Sequence, residues 1–391
     1  MFINKFADRM ERLGTESAFE VLSRAKQLER QGIDVVHFEI GEPDFDTPKN
    51  IIEAGKKALD SGYTHYSAAQ GYLPLREAIA DYTEKHKHVK TSPEEVVVVP
   101  GGKPIIFYTI LSLVNSGDEV IYPDPGFPIY KSMIEFSGGT PVSLNIRENN
   151  NFRLDVDELK SKITSRTKLI IVNSPANPTG GVLTEEDINS IAQTVKGRNI
   201  YILSDEIYTR INYGNIQIKS IASIPYMKDW TIILDGFSKT YAMTGWRIGY
   251  GIMNRELAQK VTDLMINSNS CVAGFTQIAG IEALIGPQDQ VDRMVEEFKK
   301  RRQVIVDGLN SIKGISCRKP EGAFYVFPNI KDTGMKSRQL ADYLLNEAGV
   351  ATLSGASFGS CGEGYLRLSY ANSVDKIEMA LERMGKALQH I

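Results

Sequence analysis

An α/β fold with a mostly parallel central sheet, joined to a smaller α+β domain, is predicted by three features of the sequence. Short β-branched runs recur at Val96–Val99, Val120–Tyr122, Leu169–Val172, Ile200–Leu203 and Thr231–Leu234. Gly, Pro or Asn turns follow them, and stretches with 3.6-residue apolar periodicity lie between them. The runs are apolar throughout rather than alternating, as expected of strands covered by helices on both faces.

The chain's 391 residues exceed what one hydrophobic core usually supports, so two domains are expected. The larger is placed at residues 46–290. The smaller combines residues 1–45 with 291–391, and the GPQDQ punctuation at Gly286–Gln290 marks the boundary. Thr184, followed by Glu185, Glu186 and Asp187, reads as a helix cap with an acidic first turn. Ile188, Ile191, Ala192 and Val195 mark one apolar face of that helix, and Gly197 is a stop. Farther on, alternation in Tyr365–Tyr370 predicts a half-buried strand with Leu366 and Leu368 inward and Arg367 and Ser369 outward. Ile377, Leu381, Met384 and Leu388 form the stripe of a closing amphipathic helix.

Composition narrows the function classes. Hydrophobic residues make up 42% and charged residues 24%, an ordinary globular balance. A net charge of −3 gives no electrostatic reason to expect nucleic acid or an anionic membrane as partner. The apolar runs are too short to span a bilayer. MFINKFADRMERLG lacks the apolar core of a signal peptide. Cys271, Cys317 and Cys361 are too scattered for a metal knuckle or a disulfide framework, and His65, His86 and His88 have no cysteine partner. A cytoplasmic protein without a metal is expected.

In open α/β sheets ligands bind beyond the carboxyl ends of the strands, so the residues just past each run carry the chemistry. After Val96–Val99 comes Pro100-Gly101-Gly102-Lys103-Pro104 and then an apolar helix; this is either a plain turn or a backbone cradle for phosphate. Asn177 follows Leu169–Val172 in a loop rich in Asn-Pro and Gly-Gly, where its side chain can reach a ligand. Asp205 follows Ile200–Leu203; a buried carboxylate there serves as a cap, as half of an ion pair, or as the acid that keeps a ligand nitrogen protonated. After Thr231–Leu234 stands Lys239, between Phe237 and Tyr241 and eight residues before Arg247. Most lysines are solvated, but desolvation and a neighbouring cation both lower a lysine pKa, and a neutral amine is what carbonyl attack requires. Arg247 offers a planar fork suited to phosphate. An amine nucleophile, an acid for a ring nitrogen, donors for a phenolate and a phosphate cradle are the parts a pyridoxal cofactor needs.

The motifs GEPDFDTP (Gly41–Pro48), YSAAQGYLPLREAI (Tyr66–Ile79), NPTG with DEIY downstream, FSKTYAMTGWRIGY and YLRLSYA (Tyr365–Ala371) resemble those of class I aminotransferases of fold type I over nearly the whole chain. The resemblance implies pyridoxal 5′-phosphate held as a Schiff base on Lys239, which then shuttles a proton. Asp205 pairs with the pyridine nitrogen, and Asn177 and Tyr208 hydrogen-bond the cofactor's phenolic oxygen. Phe127 stacks on the ring. Gly102 and Lys103 supply the backbone side of the phosphate cradle, Ser238 and Arg247 complete it, and Tyr66 reaches the phosphate of a second subunit, which implies a homodimer with shared sites. Arg367 clamps the substrate α-carboxylate, helped by Gly41 and Asn177. Some relatives use lysine at the position of Lys103 for a substrate's side-chain carboxylate, while Glu16 stands where aspartate-preferring relatives carry a hydroxyl residue. Phe19, Tyr72 and Tyr325 can line a pocket for aromatic or aliphatic side chains, although core packing is the role expected of them. The expected activity is amino transfer of aspartate type with 2-oxoglutarate. Aromatic, alanine, kynurenine or prephenate transfer and C–S β-elimination are the alternatives on the same fold. A nicotinamide dehydrogenase is disfavoured because no GxGxxG turn follows an early strand.

Overall fold

The computed structural model describes residues 6–214 and 218–389. Its strands, in chain order, are β1 (Val36–His37), β2 (Val96–Val99), β3 (Glu119–Asp124), β4 (Thr140–Asn145), β5 (Thr167–Asn173), β6 (Tyr201–Asp205), β7 (Thr231–Gly236), β8 (Gly249–Ile252), β9 (Tyr325–Val326), β10 (Val350–Ala351), β11 (Leu353–Ser354) and β12 (Leu366–Ser369). Seven of them form one sheet in the order β2-β8-β7-β6-β5-β3-β4, in which β8 alone runs against its neighbours. The two faces of β5 feed separate apolar clusters: Leu169 and Ile171 enter one, Ile170 and Val172 the other. That two-sided burial is why these runs do not alternate.

Two sheet strands were not legible as apolar runs. β4 is the edge strand TPVSLN, whose Pro141 is tolerated only at an edge. β8 is GYGI, and a Cβ on Gly249 would fall 2.8 Å from the Gly101 carbonyl carbon, so glycine there lets the loop after β2 lie flat on the sheet. The helix after Thr184 runs Glu185–Val195, and Thr184 and Asp187 cap each other's main-chain N–H groups. Its four striped residues are all buried.

A third cluster, built on Phe298, Leu309, Phe324, Leu368 and Met384, fills the C-terminal part. The chain passes into it along one continuous helix, Asp289–Ser311. Val291 at the start of this helix packs with the sheet cluster, and Phe298 onward packs with the C-terminal one. The N-terminal segment joins the same body through β1, which pairs in parallel with β10. Upstream, Arg12 Nε donates to the Glu135 carbonyl at 2.8 Å and Gly14 N–H to Ser132 Oγ at 2.9 Å, so residues 12–14 lie on the helix Ile129–Phe136 that flanks the large sheet.

The half-buried strand expected at Tyr365–Tyr370 is corrected. All four residues of β12 are buried, because the N-terminal segment covers the outward face: Ser369 N–H donates to the Phe38 carbonyl, and Arg367 Nη2 to that of Glu39. The closing helix, Val374–Leu388, buries Ile377, Ala380 and Met384.

Candidate active site

The carboxyl ends of β2, β5, β6 and β7 lie at one edge of the sheet. Val99 and Gly236 both pair with Gly249, and Asn173 pairs with Asp205. A cavity of about 520 Å³ opens there, between the sheet edge, the N-terminal segment and β12. Lys239, Asp205, Tyr208, Gly102, Lys103, Phe127, Asn177, Ser238, Arg247, Gly41 and Arg367 all line it. Tyr66 does not; it is 89% exposed on this chain's surface. Tyr72 also lies outside, its ring packed edge-on against Tyr63 and its main-chain N–H given to Gln277.

Lys239 follows β7 closely and is half-buried. Its Nζ donates to the Gly41 carbonyl at 2.5 Å and stands 5.9 Å from the Phe324 ring. Burial lowers its pKa to about 8; Glu42 opposes the shift, and Arg367 and Lys103 add to it while Glu16 opposes. A substantial neutral fraction near pH 7.5 makes this amine a nucleophile where an ordinary lysine is not.

Asp205 ends β6 in the same cavity. Burial raises its carboxyl to about 6, opposed by a 2.6 Å hydrogen bond from the Tyr130 hydroxyl and one from the Ile207 N–H. The charges of Asp235 and Glu206 push it further up. Those two carboxylates share Lys87, whose Nζ lies 2.6 Å from Glu206 and 2.9 Å from Asp235, all three buried. A cation beside Asp205 would reverse its burial penalty, which is what a protonated ring nitrogen provides.

The remaining groups fit the same visitor. Asn177 is buried with its Oδ1 unpartnered, so the side chain has hydrogen-bonding capacity left for a ligand. Tyr208 donates to or accepts from Tyr325 at 2.7 Å, and burial holds its hydroxyl well above the usual range, hence protonated. Gly101 has φ +83°, and a Cβ there would lie 2.2 Å from Arg247 Nη2. The glycine thus leaves the guanidinium room against the Pro100 carbonyl, which accepts from it at 3.4 Å. Arg247 Nη1 donates to the Thr244 carbonyl at 2.7 Å. Arg367 is buried, stacked 4.6 Å from Tyr325 and 5.2 Å from Phe358, with its Nε unpartnered. Four cations (Lys103, Lys239, Arg247, Arg367) against three carboxylates (Glu16, Glu42, Asp205) give the described lining a net positive charge suited to an anionic ligand.

Sequence reasoning missed Tyr130, Glu42 and Lys87. Tyr130 sits three residues after Phe127, one turn along, with the rings 5.8 Å apart edge to face, so its helical spacing was the available signal. Lys87 closes the helix Leu73–Lys87, beyond the motif that opens it, and nothing local points to it.

A positively lined cavity at a sheet edge, with a lysine of lowered pKa facing an acid of raised pKa, defines an enzyme that handles an anionic carbonyl or amine compound. Residues 33–384 match the family described as aminotransferase class I and II, and the chain belongs to that family. An aspartate aminotransferase of Pyrococcus horikoshii is 42% identical over 372 residues, covering 95% of this chain and 94% of the relative. The aromatic-amino-acid aminotransferase 2 of Thermococcus litoralis is 38% identical, covering 98% of each chain. The solved aspartate aminotransferase of Thermus thermophilus with maleate superposes with a TM-score of 0.94 at 33% identity, covering 98% of this chain and 100% of that one. The chain is therefore a transaminase dependent on pyridoxal phosphate, on a mostly parallel α/β fold.

Proposed function

We propose that this chain moves the amino group of an L-amino acid of aspartate type to 2-oxoglutarate, with Lys239 as its covalent anchor and proton carrier. The observation that carries the reading is the convergence of Lys239, Asp205 and Arg367 on one cavity, the amine lowered to about 8 and the acid raised to about 6. When bound, the cofactor supplies an electron sink for the pair left when the substrate Cα gives up its proton. Arg367 receives the α-carboxylate and turns the Cα–H bond toward Lys239. Lys239 would hold the cofactor through its amine and, as a neutral base in the same cavity, would take up and return the substrate's proton. Asp205, held by Tyr130, keeps the ring nitrogen protonated. Asn177 and Tyr208 would bind the phenolic oxygen, Phe127 would cover the ring, and the backbone of Gly102 and Lys103 with the side chains of Ser238 and Arg247 would hold the phosphate.

Tyr66, exposed in one chain, is assigned to the phosphate of a second copy, in a cytoplasmic homodimer with shared sites. Residues 46–290 then form the cofactor-binding domain, and 1–45 with 291–391 the smaller one. Lys103, a second cation away from Arg367, favours a dicarboxylic donor. The aromatic reading has its own support, since Phe19 and Tyr325 line the cavity. A panel of amino donors with 2-oxoglutarate decides between them; turnover of phenylalanine but not of aspartate or glutamate removes the aspartate assignment. Release of ammonia and pyruvate from a thioether amino acid without any oxo acid would identify β-elimination instead.

A further inference from the structure

Of the four cations lining the cavity, Arg367 and Lys103 are not equally available. Arg367 Nε has no partner, and the guanidinium otherwise donates to the main-chain carbonyl of Glu39, so no carboxylate is bonded to it. Lys103 differs: its ammonium is ion-paired with the Glu16 carboxylate, which also lines the cavity. The Glu16 side chain is 18% exposed and that of Lys103 42%, so the pair sits at the mouth. Lys103 Nζ also lies 5.5 Å from the Phe127 ring, which keeps it directed across the pocket. Two ties deliver Glu16 to this place. Gly14 is bonded to Ser132 through both its N–H and its carbonyl, at 2.9 and 3.0 Å, and Ser17 begins the helix Ala18–Arg30. Its charge reaches the reacting groups, for it acts on both Lys239 and Arg367.

A glutamate side chain bears the same functional group as the side chain of a dicarboxylic amino acid. We infer that Glu16 is a specificity-determining residue, an internal competitor that occupies Lys103 and must be displaced before the distal carboxylate of a dicarboxylic substrate can pair there. A neutral or aromatic side chain leaves the Lys103–Glu16 pair in place and packs on Phe19 instead. The pair therefore lessens, without abolishing, the gain that Lys103 offers a dicarboxylic substrate, and leaves an apolar one unaffected. The inference rests on the aminotransferase reading of the cavity given above.

The test compares wild-type holoenzyme with Glu16→Gln and Lys103→Met. kcat/KM is measured for aspartate and phenylalanine at saturating 2-oxoglutarate. Calorimetry supplies dissociation constants for two unreactive probes, succinate and 3-phenylpropionate. A half-exposed ion pair contributes up to roughly fivefold in an equilibrium constant. Glu16→Gln is therefore expected to raise the aspartate-to-phenylalanine ratio about fivefold and to tighten succinate relative to 3-phenylpropionate by a similar factor. Lys103→Met should move both ratios the other way. Ratios that stay put or fall in Glu16→Gln overturn the inference, as does a Lys103→Met enzyme that keeps its preference for succinate. If the wild-type enzyme transfers no amino group from any donor, the reading of the cavity fails, and the two probe affinities still judge Glu16 by themselves.

Discussion

Lys239 should be the most acidic lysine amine of the apoprotein measured by labelling, and this can be checked without turnover. Burial takes it from the ordinary 10.5 to about 8, with Arg367 and Lys103 assisting and Glu42 and Glu16 resisting. At about 1.36 kcal/mol per tenfold, the difference is at most about 3.4 kcal/mol between the two protonation states. At pH 7.5 it leaves roughly a quarter of the amine neutral, against about one part in a thousand for an unperturbed lysine. Competitive acetylation from pH 6 to 11, followed by peptide mass spectrometry, reads the midpoint for each lysine in one sample. A short lysine peptide added to the same sample is the reference. Arg367→Gln removes a nearby positive charge and should move the Lys239 midpoint upward; Glu42→Gln removes a negative one and should move it down. A wild-type midpoint coinciding with that of the reference peptide, or one indifferent to both substitutions, refutes the reasoning that burial and these neighbours activate the amine.

Other outcomes come from the same geometry. Lys239→Ala should bind the cofactor without covalent attachment and lose turnover; a mass increment surviving borohydride reduction at another residue would contradict the assignment. Asp205 is raised from 3.8 to about 6 by burial, so the folded state holds this proton more tightly than the unfolded one. Stability from this group is therefore present below pH 4 and lost between about 4 and 6, to the extent of about 3 kcal/mol. Asp205→Asn apoprotein should escape that loss while the holoenzyme slows severely, as urea midpoints and kcat together would show. Tyr130→Phe removes the 2.6 Å bond to Asp205 and should carry the same pH transition to higher values; an unmoved transition would dismiss Tyr130 as a partner in solution. Arg367→Gln should raise KM for donor and acceptor alike by about a hundredfold, the scale of a lost charge-assisted bidentate contact, and an effect on kcat alone would argue against carboxylate binding.

Much of the cavity was readable in advance because its groups sit at strand ends, where a local motif fixes both the residue and its place at the sheet edge. Asp205, Asn177 and Lys239 lie just past the ends of apolar runs, and a parallel sheet aligns such ends whatever the loops between them do. Gly101 and Gly102 were visible for the same reason, since backbone that must approach another group closely calls for glycine. Arg367 was legible as part of a motif, but its surroundings were read incorrectly: alternation in β12 suggested an outward-facing side, while the N-terminal segment, more than three hundred residues earlier in sequence, buries it.

What the sequence determined by itself was the alternation of strands and helices, the chemistry at the strand ends and the family those motifs define. Each of these is a local property of periodicity and residue type. Tertiary structure alone decided the pairings across long separations: Tyr130 on Asp205, Lys87 between Glu206 and Asp235, Glu16 on Lys103, and Arg367 beneath residue 39. Local patterning places a charge on an element but does not choose its partner. Burial and neighbouring charge then set how acidic each group is, and both come into being only when the chain closes on itself.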